Sequence, residues 1–199
     1  MKQYVAFLRA INVGGTKAVK MDDLRKIFES FGFTNVHTHI NSGNVIFNTT
    51  ETDDMEATLE RHLETALGFK VETFLRTMEE VANVVNRPAF EMQDGETLHV
   101  VFLRNRQPAE KIPKQNLLSL RSEADDFAIQ GSEVYNLRRN RDKSIFSNNL
   151  IEKTLKVKGT TRNITTLRKI VEKYQQEITN AKRNLCPGNT SPKNRKGRI

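Results

Sequence analysis

The tripeptide Asn41-Ser42-Gly43 separates two short strand-like runs, residues 35–40 and 44–48, and leaves them little choice but to pair as a hairpin. Asparagine and glycine tolerate the backbone that tight turns require, and the runs beside them carry β-branched and aromatic side chains. The pattern around this hairpin is regular. Residues 3–8 read as a strand, followed by a helix with Leu24, Ile27, Phe28 and Phe31 at helical spacing. Asp22 and Asp23 suit its first turn and Gly32 its end. A second helix is expected over 53–66, with Met55, Leu59, Leu63 and Leu67 inward, and a fourth strand over 70–75. The order βαββαβ predicts a ferredoxin-like split unit, in which strands one and two are parallel and strand three lies between them.

The second half repeats the theme. Val100-Val101-Phe102-Leu103-Arg104 echoes Val5-Ala6-Phe7-Leu8-Arg9 at an offset of 95 residues, a helical stretch follows over 109–120, and residues 127–135 resemble the first hairpin. Residues 77–86 read as a connecting helix stopped at Pro88, and residues 147–157 as a helix broken by Gly159. Thr160-Thr161 is expected to cap a longer helix on which Ile164, Leu167, Ile170, Val171, Tyr174 and Ile178 recur at helical spacing. The expected fold class is α+β: duplicated ferredoxin-like split βαββαβ units with additional C-terminal helices. The first copy spans 1–76, a connecting helix and loop 77–96, a second, diverged copy 97–158, and a C-terminal helix 159–186. Residues 187–199 hold no large apolar side chain before Ile199 and read as a disordered basic tail.

Charge divides the chain more sharply than composition does. Residues 1–100 hold 10 Lys and Arg against 15 Asp and Glu, whereas residues 101–199 hold 22 against 9, so the halves carry −5 and +13. A one-sided basic field steers polyanions. From Arg138 to Lys169 there are ten basic residues against Asp142 and Glu152. Arg138, Arg139, Arg141, Lys143, Lys158 and Arg168 are the expected electrostatic contacts to nucleic acid. No apolar run approaches the ~18 residues that span a bilayer. The N-terminus lacks the pattern of a signal peptide, and the single cysteine, Cys186, cannot form an internal disulfide. A cytoplasmic protein with no membrane partner is expected.

The split topology brings the end of strand one and the hairpin turn to one sheet edge. That places Arg9, Asn12, Gly14, Gly15 and Lys17 beside Asn41, Ser42 and Asn44, where glycine amides and a guanidinium suit a phosphate or carboxylate. Gly14-Gly15-Thr16-Lys17 is not a phosphate loop of the NTPase type, because Arg9 stands where the upstream glycine would be. Lys158 to Asn163, read as a helix start containing Arg162 and Asn163, is a second candidate anion site. His37 and His39 alternate on one strand face but lack a third ligand nearby, so no metal is expected. No general base accompanies the edge cluster, and Cys186 has no paired histidine; no catalytic residue and no cofactor is assigned.

These residues also carry a family likeness. Leu8 to Gly15 with Lys17 and Met21-Asp22-Asp23-Leu24, Gly32 to Val36 through Ile40 to Phe47, and Thr161-Arg162-Asn163 with Thr165-Thr166 form three blocks over roughly residues 3–180. Together they resemble the signature of a bacterial family, domain of unknown function 1697. Two positions depart from that signature: Ile164 stands where an aromatic residue is common, and His39 where tyrosine is. The resemblance implies a two-fold αβ architecture and a joint role for Arg9, Asn12, Gly14, Gly15, Asn41, Ser42, Gly43, Asn44, Arg162 and Asn163. The function expected is a non-enzymatic binding protein for nucleic acid (RNA or DNA) or another phosphate-bearing ligand, since sheets of this topology can offer a flat face to single-stranded RNA. The alternative is an enzyme or sensor for a small phosphorylated or carboxylate metabolite at the Arg9/Asn41 edge, with Arg162 as a second clamp. A third is an interaction protein whose sheets serve a partner.

Overall fold

Along β1 (Lys2–Leu8) every side chain from Tyr4 onward is buried, so both faces of the strand are covered. The computed structural model describes residues 1–12, 18–40, 43–51, 54–104 and 113–185, with 175–185 as backbone alone. After β1 come α1 (Met21–Ser30), β2 (Thr34–His39), β3 (Asn44–Thr49), α2 (Met55–Leu67), β4 (Thr73–Thr77) and α3 (Met78–Asn86). The second half follows with β5 (Thr97–Leu103), α4 (Lys114–Leu118), β6 (Asp125–Gln130), β7 (Glu133–Arg138), α5 (Asn148–Leu155), β8 (Gly159–Asn163) and α6 (Ile164–Leu185). The strands form two four-stranded antiparallel sheets, ordered β2-β3-β1-β4 and β6-β7-β5-β8.

The burial pattern of β1 follows from how these sheets pack. Val5, Phe7, Ile46 and Phe74 share one core with Leu98, Val100, Phe102 and Tyr135, so the sheets lie face to face. Phe7 and Phe102 stack across the joint, ring centroids 4.4 Å apart and 17° from parallel. The alternate residues Tyr4, Ala6 and Leu8 pack outward against Leu24, Phe28, Leu59 and Leu63 of α1 and α2. Val101 and Leu103 do the same against Leu117, Ile151 and Leu155 of α4 and α5. Helices α3 and α6 flank the central core with Val81, Ala82, Leu167, Ile170 and Tyr174. An antiparallel sheet commonly leaves one face wet; here each inner face is covered by the other sheet. The flat face expected to carry single-stranded RNA is therefore buried.

Residues 159–163 correct the sequence reading. They were expected to break one helix and cap the next, but they pair with β5 as β8, Val100 opposite Arg162 and Leu103 opposite Gly159. Gly-Thr-Thr-Arg-Asn holds no apolar side chain, so no hydrophobic period could reveal a strand there. The long helix starts at Ile164, and Asn163 Oδ1 accepts the Thr165 amide at 2.9 Å. The helix expected over 109–120 is described only at Lys114–Leu118. The start of α3 is a reciprocal cap: Thr77 Oγ1 accepts the Glu80 amide at 3.2 Å, and the Glu80 carboxylate accepts the Thr77 amide at 2.6 Å.

A buried arginine fastens the halves. Arg76, 1% exposed on β4, donates from Nε to Glu133 at 2.9 Å and from Nη2 to the Leu103 carbonyl at 2.9 Å. Its guanidinium lies 5.3 Å from the Phe102 ring centroid. Arg76→Met leaves the Glu133 carboxylate buried without its cation, and we expect a loss of about 3–5 kcal/mol. Adding Glu133→Leu to that variant should recover much of the loss, as read from urea denaturation midpoints at constant m-value.

Candidate functional site

The end of β1 meets the start of β3 closely: the Leu8 amide donates to the Gly43 carbonyl at 2.7 Å. Gly43 has φ +69°, and a Cβ there would sit 3.0 Å from Leu8 Cβ, so this approach needs glycine twice over. Asn44 is buried, and its Nδ2 donates to the His39 carbonyl at 3.1 Å. Asn12, also at positive φ, closes its loop by accepting the Val19 amide at 2.7 Å and donating to the Val19 carbonyl at 3.0 Å. Gly14, Gly15, Lys17, Asn41 and Ser42 lie outside the described residues.

Arg162 reaches this edge from the other half. It donates from Nε to Asn44 Oδ1 at 2.6 Å and from Nη2 to the Leu8 carbonyl at 2.9 Å, over the Phe7 ring. Desolvation at this joint lowers its pKa to about 10. Arg9 donates to Glu72 at 2.7 Å and, with both terminal nitrogens, to Glu152 of α5 at 2.7 and 3.1 Å. The structure thus brings Arg9, Asn44 and Arg162 together as expected from sequence, but engages both guanidiniums with internal acceptors.

The same contacts recur at matching register. Val5 is opposite Arg76 as Val100 is opposite Arg162. Arg76 takes Glu133 and the Leu103 carbonyl; Arg162 takes Asn44 and the Leu8 carbonyl. Arg104 donates to Glu60 at 2.8 Å, and Glu60 accepts the Thr73 amide at 2.8 Å, just as Glu152 accepts Arg9 and the Gly159 amide at 2.8 Å. Sequence reasoning missed Arg76, Glu133, Glu60 and Glu152. The echo of Leu8-Arg9 in Leu103-Arg104 was the one signal pointing to them.

A different cleft gathers the uncommitted basic groups. Gly95, Thr97, His99, Arg138, Arg141 and Asn163 line a cavity of about 410 Å³, and no carboxylate is among them. Thr97 pairs with Arg138 across β5 and β7, and His99 with Asn163 across β5 and β8, so four of these residues share one sheet face. Behind them, buried Asp125 accepts from Asn136 Nδ2 at 2.9 Å, Ser144 Oγ at 2.8 Å and the Ile145 amide at 2.9 Å. Ser144 Oγ in turn accepts Arg138 Nε at 3.0 Å, and Arg138 Nη2 donates to the Phe146 carbonyl at 3.2 Å. The guanidinium is therefore aimed before any ligand arrives. Arg141 is exposed and makes no hydrogen bond or ion pair among the described residues.

The first half shows what the fold itself requires at these positions. Tyr4 and Phe47 pair at the register held by His99 and Asn136, and they stack 6.0 Å apart with Phe33 on Phe47 at 4.4 Å. Helix α1 has ten residues and covers those rings with Phe28; α4 has five.

The remaining expected contacts are distributed. Arg139 pairs with Asp126 at 3.1 Å and lies 3.7 Å from Glu96, and Lys158 lies 3.8 Å from Glu152. Lys143 is exposed two residues beyond Arg141, and Arg168 lies on α6. His37 and His39 face Tyr174 at 5.3 and 6.1 Å between ring centroids, and burial, then Lys173 and Lys169, lower the His39 pKa. No metal-holding group of acids, histidines or cysteines occurs among the described residues.

Burial first, and Arg138 second, push the His99 pKa down to about 4, against the opposing pull of Asn136 and Asp125. The folded protein therefore holds this imidazole neutral while the unfolded chain protonates it near 6.5. Its contribution to stability is present above pH 6.5 and is lost as pH falls toward 4. Urea denaturation of the His99→Gln variant should show a shallower loss of stability between pH 6.5 and 4 than the parent. Equal slopes would assign the acid sensitivity elsewhere.

Among solved structures, a conserved bacterial protein from Streptococcus pneumoniae, SP0830, matches with a TM-score of 0.61 and 25% identity, over 86% of this chain and 97% of that one. No curated protein matches. No described helix is long and apolar enough to cross a membrane. The model of a family of proteins of unknown function matches residues 1–135, and the chain, with the blocks around Arg9 and Asn44 inside that span, belongs to domain of unknown function family 1697.

Proposed function

We propose that this chain is a non-enzymatic binding protein for nucleic acid or another phosphate-bearing ligand, anchored at the cleft of His99, Arg138, Arg141 and Asn163. The observation that carries this is the absence of any lining carboxylate around two guanidiniums, one of them oriented by Ser144 and Phe146. The Arg9 edge, the alternative place for a small anion, is less suited, because Arg9 is neutralised by Glu72 and Glu152 and all three nitrogens of Arg162 donate internally. The repeated strand order, with the register matches of Arg76 to Arg162 and Arg9 to Arg104, supports reading each half as a ferredoxin-like split unit and the chain as their duplication. A single cysteine supports a cytoplasmic setting.

The test is binding of short labelled single-stranded RNA and DNA across a salt series. It uses the parent and a full-length variant with Lys193, Arg195, Lys196 and Arg198 changed to Gln. Affinity should survive neutralising the tail and fall by about 0.7 log units per tenfold rise in salt for each phosphate contacted. Binding that disappears with the tail charges, or is absent from both proteins, would refute the proposal.

A further inference from the structure

Several cations around the joint and beside the cleft are already engaged. Arg139 is taken by Asp126 and Glu96, Lys158 stands beside Glu152, and Arg9, Arg76, Arg104 and Arg162 bind acceptors between the halves. Two guanidiniums without a lining counter-charge remain together in one concave site of about 410 Å³, within the size range of small-molecule pockets. Asn140 Oδ1 accepts the amides of Asp142 and Lys143 at 3.0 and 3.2 Å, and this turn carries Arg141. Around the guanidiniums stand Thr97, Asn163 and His99, which can hydrogen-bond phosphate oxygens.

A phosphodiester offers one negative charge and must enter and leave a site along the strand. A phosphate monoester offers about −1.5 to −2 near pH 7 and three acceptor oxygens on one terminal group. Two cations lining one concave site match the second. The buried network behind them is specific to this half, since Tyr4 and Phe47 occupy the corresponding pair in the first. Polar groups that the fold does not require, held rigid by a buried carboxylate, are what a ligand's charge would need and core packing would not.

Building on the phosphate-binding reading above, we infer that the cleft of Arg138, Arg141, Asn163, Thr97 and His99 receives a terminal phosphate monoester, carried by a free nucleotide or by the phosphorylated end of a strand. The test measures binding of the full chain to a 3′-labelled oligonucleotide with a 5′-phosphate, the same oligonucleotide with a 5′-hydroxyl, and AMP as competitor. The 5′-phosphate should improve affinity about tenfold, the scale of one or two charge-assisted hydrogen bonds. Arg141→Gln should bring the ratio of the two affinities down to about one, whatever it does to 5′-hydroxyl binding itself. Arg139→Gln, outside the cleft lining, should keep the preference. Arg141 has no hydrogen bond or ion pair among the described residues, so its loss tests the ligand more than the fold. Competition by AMP would identify a free nucleotide as sufficient, and preference without competition would identify the strand end; either supports the inference. Equal affinity for the two oligonucleotides would overturn it and leave general phosphate binding standing, whereas no binding of any probe would overturn both.

Discussion

The joint between the two sheets is an exchange of arginines, and the rest of the architecture depends on it. Each half sends one guanidinium across its neighbour's central phenylalanine to a strand-end carbonyl: Arg76 over Phe102 to Leu103, Arg162 over Phe7 to Leu8. A second pair, Arg9 to Glu152 and Arg104 to Glu60, clasps the outer helices across the same joint. Arginine suits this work and lysine would not, because a planar fork can lie on a ring while bonding two acceptors at fixed angles. The Phe7–Phe102 stack supplies burial without direction; the guanidiniums supply direction. Once the joint is made, the inner faces of both sheets are lost to solvent, and any ligand must be met at the edges, the ends or the outer faces.

The two halves make that joint at matching register, with Glu133 in one and Asn44 in the other as the Nε acceptor, and differ more beyond it. On the outer face, the first sheet stacks Tyr4, Phe47 and Phe33 under a ten-residue helix, an arrangement that earns its stability from apolar area. At matching register the second sheet holds His99 and Asn136, with Asp125 and Ser144 beside them under a shorter helix. A buried carboxylate is costly unless several donors meet it, and Asp125 meets three. The residual cost shows in His99, whose Nδ1 is buried without a partner. Such a network stabilises less than the aromatic stack it parallels, so its presence is better explained by what lies in front of it than by the core behind it.

The sequence made the backbone plan legible where side chains alternated and left it dark where they did not. Asn41-Ser42-Gly43 announces its hairpin, and the amphipathic runs of α1, α2 and α6 announce their helices, because each obeys a period. Strand β8 obeys none: Arg162 is satisfied by Asn44 and the Leu8 carbonyl far away in sequence and donates to Thr160 Oγ1 on its own strand, so Gly159 to Asn163 looked like a helix cap. The approach of Arg9 to Asn44 was read from topology, whereas Arg162 joined them only through the family resemblance. Their occupation was read from neither, since Glu152 and Glu60 lie on helices more than forty residues from the arginines they hold. Arg138 and Arg141 were visible as charge, yet nothing in their spacing places Asn163 or His99 beside them.

Net charge therefore misdescribes this surface in a definite way. A half-chain charge of +13 suggests a broad field that would hold any polyanion. Much of it is consumed internally: Arg104 and Arg162 serve the joint, Arg139 neutralises Asp126, and Arg121 lies 2.7 Å from Asp126 as well. Pairing of this kind removes far field while leaving near field wherever a cation lacks a counter-charge, and screening at physiological salt confines what remains to about 8 Å. One such point is the cleft, where Arg138 and Arg141 line a single concavity with no carboxylate among its described lining residues. Selectivity at a point is set by the geometry of the donors around it, which here is fixed by Asp125 through Ser144 rather than by the number of lysines in the chain.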